Sequence, residues 1–133
     1  MKFNSAQGRN QLRERQRRDR ATAQPLRVRY PQFASLKLQF EFRESDPELK
    51  APVPHLLFMH PPSHAYFLFP CPHADCDGEF DLTSAVAELA RSHQPHCDGK
   101  QVCGGQRVRD KNGRGPCQLA LQYTIAPGEA AAE

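Results

Sequence analysis

Two cysteines four residues apart, in the run Pro70-Cys71-Pro72-His73-Ala74-Asp75-Cys76-Asp77-Gly78, constrain this chain more than any other feature. Prolines and a glycine punctuate the run, so it folds as a turn rather than inside a helix or strand. A turn that gathers two thiols supplies half of a tetrahedral zinc site, whose metal–sulfur bonds are about 2.3 Å. A dithiol redox motif does not fit, because the gap is four residues and no βαβ unit surrounds it. Cys97, Cys103 and Cys117 follow downstream. An odd total of five cysteines in 133 residues points to thiols or a metal more than to a disulfide framework.

Three ligand sets can complete the site, and all of them keep Cys71 and Cys76. The first adds His93 and Cys97, with Phe69 and Phe80 flanking the first pair. This arrangement resembles a C2H2-type ββα zinc finger with cysteine as its last ligand. It departs from that family in an interval about one turn too long and in Pro95, which opposes a continuing helix between the last two ligands. The second set adds Cys97 and Cys103, each followed by turn residues (Asp98-Gly99 and Gly104-Gly105), and resembles a loose zinc ribbon.

The third set, Cys71, Cys76, Cys103 and Cys117, is favoured by geometry. If residues 104–116 form a loop, then 100–103 pairs antiparallel with 117–120 and Cys103 faces Cys117. Opposite side chains on one sheet face have Cβ atoms ~4.5–5.5 Å apart, close enough to share one ion. Zinc ribbons hold their metal in a similar way, between turns of neighbouring strands. Cys97 is then a spare thiol. The same register also permits a Cys103–Cys117 disulfide in an oxidising compartment. Four thiolates leave no open coordination position, so the expectation is one structural Zn2+. The zinc-ribbon and zinc-finger resemblance covers residues 69–117 and implies metal binding, without singling out one named family.

Charge divides the chain. Residues 1–30 hold nine Lys/Arg against two acids, a net +7, whereas residues 31–133 hold nine against thirteen, a net −4. The segment Gln11-Leu12-Arg13-Glu14-Arg15-Gln16-Arg17-Arg18-Asp19-Arg20 has good helix formers but one apolar residue. A helix there has no apolar face to bury, so residues 1–25 are expected to be a disordered Arg-rich arm that becomes helical on binding. Arginine clusters suit phosphate because each guanidinium donates two parallel hydrogen bonds.

The body, expected to span 26–127 ahead of a disordered 128–133 tail, shows mixed periodicities. Leu36, Leu38, Phe40 and Phe42 alternate with Lys37, Gln39, Glu41 and Arg43, which predicts a half-buried strand. Residues 55–59 and 65–69 predict a hairpin around Pro61-Pro62-Ser63-His64. Leu82, Ala85, Val86, Leu89 and Ala90 recur at helical spacing over 81–92. Asp81 or Thr83 can cap this helix, and Pro95 ends it near Ser92 or His93. Short strands are predicted at 100–103 and 117–125, with 104–116 as a loop. The order β, ββ, α, β, β implies an α+β domain: a small antiparallel sheet carrying one α-helix.

No GxSxG, HExxH, phosphate-binding glycine loop or dinucleotide fingerprint occurs, and the zinc-deaminase signature is absent, so an enzyme is not expected. No run of 18 apolar residues exists, and the charged N-terminus is unlike a secretory leader, so a cytoplasmic location without membrane insertion is expected. His60 and His64 flank the double proline as surface residues rather than as a second metal pair. The leading expectation is a small intracellular zinc-binding accessory protein that contacts RNA or DNA. Its phosphate contacts would come from Arg13, Arg15, Arg17, Arg18 and Arg20 of the arm, joined by Arg107, Arg109, Lys111 and Arg114 of the 104–116 segment. The alternative is a zinc-stabilised protein–protein adaptor whose arm meets an acidic partner.

Overall fold

In a computed structural model of the chain, the structure describes residues 5–44, 50–110 and 113–128. In chain order the elements are α1 (Ser5–Thr22), α2 (Leu26–Arg29), β1 (Leu36–Arg43), β2 (His55–Met59), β3 (Leu68–Pro70), β4 (Glu79–Asp81), α3 (Thr83–Ser92), β5 (Cys97–Val102), β6 (Gln106–Asp110), β7 (Gly113–Pro116) and β8 (Ala120–Pro127). The class is α+β. An antiparallel four-stranded sheet runs β2-β1-β8-β5, and two-stranded ribbons β3-β4 and β6-β7 stand apart from it.

The period-two stretch forms β1 as expected, with Leu36, Leu38 and Phe40 buried and Lys37, Gln39 and Glu41 exposed. Its partner β8 aligns Leu38 with Ile125, Phe40 with Tyr123 and Phe42 with Leu121, so both strands turn the same apolar face inward. Helix α3 packs against β5 and β8 of that sheet. Val86 and Leu89 are its buried residues, and they join the same core as Leu82 and Phe80. The Asp81 carboxylate accepts from the Thr83 N–H at 2.9 Å, which satisfies one donor of the first turn. His93 closes the helix in the left-handed conformation at φ 58°, two residues before Pro95. Cys71, Cys76, Cys103 and Cys117 belong to the same contiguous core.

Three expectations are corrected. Residues 55–59 and 65–69 do not pair with each other: β2 pairs with β1, and β3 pairs with β4. The double-proline turn is captured instead by the start of α2 and the residues just before it. Leu26 N–H donates to the Ser63 carbonyl, Arg27 N–H to that of Pro61, and Ala65 N–H to that of Gln24. Those bonds use the backbone groups that a hairpin would need. Residues 104–116 are not a plain loop, because β6 and β7 pair as a ribbon with an irregularity between Val108 and Asp110.

The third correction concerns the arm expected to lack structure, because its described part is the 18-residue helix α1. Arg9, Leu12 and Gln16 are buried, at the three- and four-residue spacing that places them on one helix face. That face is polar, so the apolar pattern that normally announces a packed helix is missing. The expected single helix becomes three helical segments, and residues 129–133 of the expected tail lie outside the described residues.

Ile125 is fully buried between β1 and β5, whereas Val102 is 63% exposed at the end of β5. Ile125→Ala should cost about 2–5 kcal/mol, and Val102→Ala less than about 0.5 kcal/mol. Urea denaturation followed by far-UV circular dichroism measures both.

Candidate metal centre

Two turns build the site. The first closes the β3-β4 ribbon, where Cys71 N–H donates to the Gly78 carbonyl and Cys76 N–H to that of His73. The second lies at the base of the β6-β7 ribbon, where Cys117 N–H donates to the Gly105 carbonyl and Cys103 N–H to that of Leu119. Cys71 and Cys76 lie in the turn between β3 and β4, whereas Cys103 and Cys117 flank the β6-β7 ribbon, so strand pairing brings residues distant in sequence to one point.

The four sulfurs all lie within 4.8 Å of one another, and all four residues are buried. Cys71 and Cys117 sulfurs are 3.8 Å apart, and those of Cys76 and Cys103 are 3.6 Å apart. A tetrahedral ion with ~2.3 Å bonds to sulfur requires edges of about 3.8 Å, so the cluster has the dimensions of a four-thiolate metal site. Backbone N–H groups point at two of the sulfurs: Gly78 N–H donates to Cys76 Sγ at 3.3 Å and Gly105 N–H to Cys103 Sγ at 3.4 Å. Such bonds stabilise thiolate over thiol. No disulfide joins the cysteines among the described residues.

The glycines matter through close approach. A Cβ on Gly78 would lie 2.3 Å from Cys103 Sγ and 2.9 Å from the Gly105 backbone; one on Gly105 would lie 2.4 Å from the Gly78 backbone. The two cysteine turns therefore touch backbone to backbone, which only glycine permits at both positions.

Titration follows from this crowding. The Cys71 thiol is pushed up by its hydrogen bonds to Cys103, Cys117 and Cys76, with burial adding to them. Cys103 is also raised, first by its bond with Cys117. Cys76 and Cys117 are held below the ordinary thiol range, in both cases chiefly by the bond from Cys103.

The favoured quartet is the set brought together, but the register behind it is corrected. Val102 faces Ala120 and Cys103 bonds to Leu119, so Cys103 is not opposite Cys117. The β6-β7 ribbon inserts between them and returns Cys117 to the site from beside Gly105. The alternative ligands lie elsewhere. Cys97 starts β5, six residues from Cys103 and hence about 20 Å away along an extended strand. His93 is exposed at the end of α3. His64 spends Nδ1 on the Ala23 carbonyl at 2.8 Å, and no further group of three or more potential ligands occurs among the described residues.

Around the cysteines sits a polar layer that the sequence reading missed. Arg9 Nη1 donates to the carbonyls of both Cys71 and Cys76, the latter at 3.2 Å. His73 Nε2 bonds the buried Glu44 carboxylate at 2.7 Å, and Arg107 lies 3.6 Å from both Glu44 and Asp75. Arg107, expected to contact phosphate, is therefore buried and engaged within the protein. Lys111 lies outside the described residues; Arg109 and Arg114 sit on β6 and β7.

Arg13, Arg15, Arg17, Arg18 and Arg20 are all exposed on α1. Three of them have intramolecular contacts: Arg15 with Glu79 at 2.6 Å, Arg17 with Glu14 at 2.6 Å, and Arg20 over the Tyr66 ring at 5.3 Å. No helix among the described residues is long and apolar enough to cross a membrane. No protein-family model matches the chain, and neither the curated proteins nor the solved structures contain a match.

Gly78→Ala and Gly105→Ala should each open the contact between the turns and abolish stoichiometric metal retention, while Gly104→Ala, which meets nothing within 4 Å, should retain the metal. Mass spectrometry under native conditions distinguishes these outcomes. Metal binding must also displace the protons that Cys71 and Cys103 hold above the ordinary range, so affinity should rise with pH and metal should be lost on acidification. Metal content after dialysis through descending pH tests that sign.

Proposed function

We propose that Cys71, Cys76, Cys103 and Cys117 bind one Zn2+ with a structural role, and that the zinc-stabilised domain is an intracellular accessory protein contacting nucleic acid. The observation that carries the zinc reading is the buried cluster of four sulfurs with tetrahedral dimensions. All-sulfur tetrahedral sites favour zinc among common divalent ions. With four protein ligands no position remains for substrate or water, which argues for structure rather than catalysis. Clustered cysteines that form no disulfide suit a reducing compartment.

The nucleic-acid reading is supported by the exposed arginines of α1, above all Arg13, Arg17, Arg18 and Arg20. Their guanidinium groups can contact phosphate from one side of a helix whose other side faces the protein. Contacts of this kind give affinity without reading bases, so binding should be insensitive to sequence. One observation favours the adaptor reading instead. Edge strand β2 leaves Leu56, Leu57 and Phe58 at 57%, 37% and 50% exposure, an apolar surface suited to a protein partner.

Single Cys→Ser variants separate the ligand assignments: Cys117→Ser should lose zinc, and Cys97→Ser should keep it. For the partner, fluorescence anisotropy with duplex DNA and RNA across a salt series is decisive. Four neutralised phosphates predict a slope of about −3.6 in log K against log salt on duplex DNA. Replacing Arg13, Arg17, Arg18 and Arg20 together by alanine should flatten the slope. Absence of salt-dependent binding by the intact chain would leave the adaptor as the better reading.

A further inference from the structure

Helix α1 is attached to the protein chiefly through the cysteine turns. Arg9 bridges the Cys71 and Cys76 carbonyls, across sequence separations of 62 and 67 residues. Gln16 Nε2 donates to Glu79 at 2.8 Å and Arg15 pairs with the same carboxylate, one residue beyond Gly78. Leu12 and Arg15 line a shallow depression with Gly78 and Gly105, the glycines at which the two turns meet. We propose that metal occupancy of the four-cysteine site controls whether this arginine-rich helix is docked or released, with Arg9 as the positioning residue that couples the two. The proposal rests on the metal-binding reading above.

The geometry of Arg9 carries it. One guanidinium nitrogen can reach two carbonyls five residues apart only while the Cys71–Cys76 turn is closed upon itself. A metal closes that turn, because it binds both sulfurs and ties them to Cys103 and Cys117 from the second ribbon. Electrostatics acts in the same direction. Four thiolates around a divalent ion carry a formal charge of −2, and Arg9 places a positive charge against the backbone of two of the four ligands.

Arg9 is only 8% exposed, its Nε is buried without a hydrogen-bond partner, and no carboxylate pairs with it among the described residues. A buried cation in that condition is strongly unfavourable unless a nearby negative charge compensates it. Loss of the metal removes both the closed turn and the compensating charge. The helix, whose one buried apolar residue among those with described side chains is Leu12, then has little left to hold it. The released segment is the arginine-rich stretch of the chain, so the site would convert a change in available metal into exposure of a basic arm.

Coupling of this kind is reciprocal: if metal favours docking, docking must favour metal. The test uses full-length, zinc-loaded protein, wild type beside Arg9→Gln and Arg9→Lys. Zinc transfer to a chromogenic chelator and hydrogen exchange of α1 by mass spectrometry are followed together. Arg9→Gln should still bind one zinc, surrender it 10–100-fold faster, in the range found when outer contacts to metal ligands are lost, and lose protection throughout α1. Protection of β1 and β8 should stay unchanged, which a general loss of stability would not allow.

Arg9→Lys keeps the charge and should lie between wild type and Arg9→Gln in both readouts. Chelation of wild-type zinc should deprotect α1 no later than the cysteine turns. Zinc-loaded Arg9→Gln with wild-type zinc release and wild-type α1 protection would overturn the coupling while leaving the metal reading intact. A wild-type chain that holds no zinc would overturn both.

Discussion

Four sulfurs meeting at one point tie together parts of the chain that have little else to hold them. Cys76 and Cys103 are 27 residues apart and Cys71 and Cys117 are 46 apart, yet their sulfurs are in contact. The ribbons that carry them are small: β3 and β4 have three residues each, β6 five and β7 four. An isolated two-stranded ribbon of that size is marginal in water. The main sheet has its own core between β1, β8 and α3, but the ribbons depend on the point where their turns join. A bound metal would convert that junction into folding free energy for the whole end of the molecule.

Charge then organises what surrounds the junction. The basic first thirty residues and the acidic remainder are not independent, because Arg15 of α1 lands on Glu79 in the acidic run beside the first cysteine pair. Glu79 takes Arg15 and Gln16, Asp75 faces Arg107, and Asp77 accepts the Gln106 N–H at 2.8 Å. The edge that would repel a phosphate is also the edge that receives α1. Part of the positive charge counted in the sequence is thus neutralised inside the chain, and the part left for a partner lies on the outer face of α1.

Where the local pattern was strong, the fold was legible from residues alone. The alternation of Leu36, Leu38 and Phe40 dictates β1, and the spacing of Leu82, Val86 and Leu89 dictates α3, because each pattern has one way to bury its apolar members. The two prolines at 61–62 marked a turn but not the partner of the strand before it, since β2 could satisfy its backbone with either neighbour. Helix α1 was illegible for a related reason. It buries Arg9 and Gln16 against carbonyls and a carboxylate supplied by residues more than sixty positions away, and no hydrophobic period announces such a face.

The sequence by itself determined that Cys71 and Cys76 act as a pair, since proline, glycine and a four-residue gap force both thiols onto one turn. It also determined the α+β class and the uneven distribution of charge. Only the tertiary structure decided which thiols complete the quartet. The β6-β7 ribbon sets a Leu119 register for Cys103 and swings Cys117 back to it, while the length of β5 carries Cys97 out of reach. Register and long-range pairing are properties of backbone hydrogen bonding between distant segments, and residue spacing alone does not encode them.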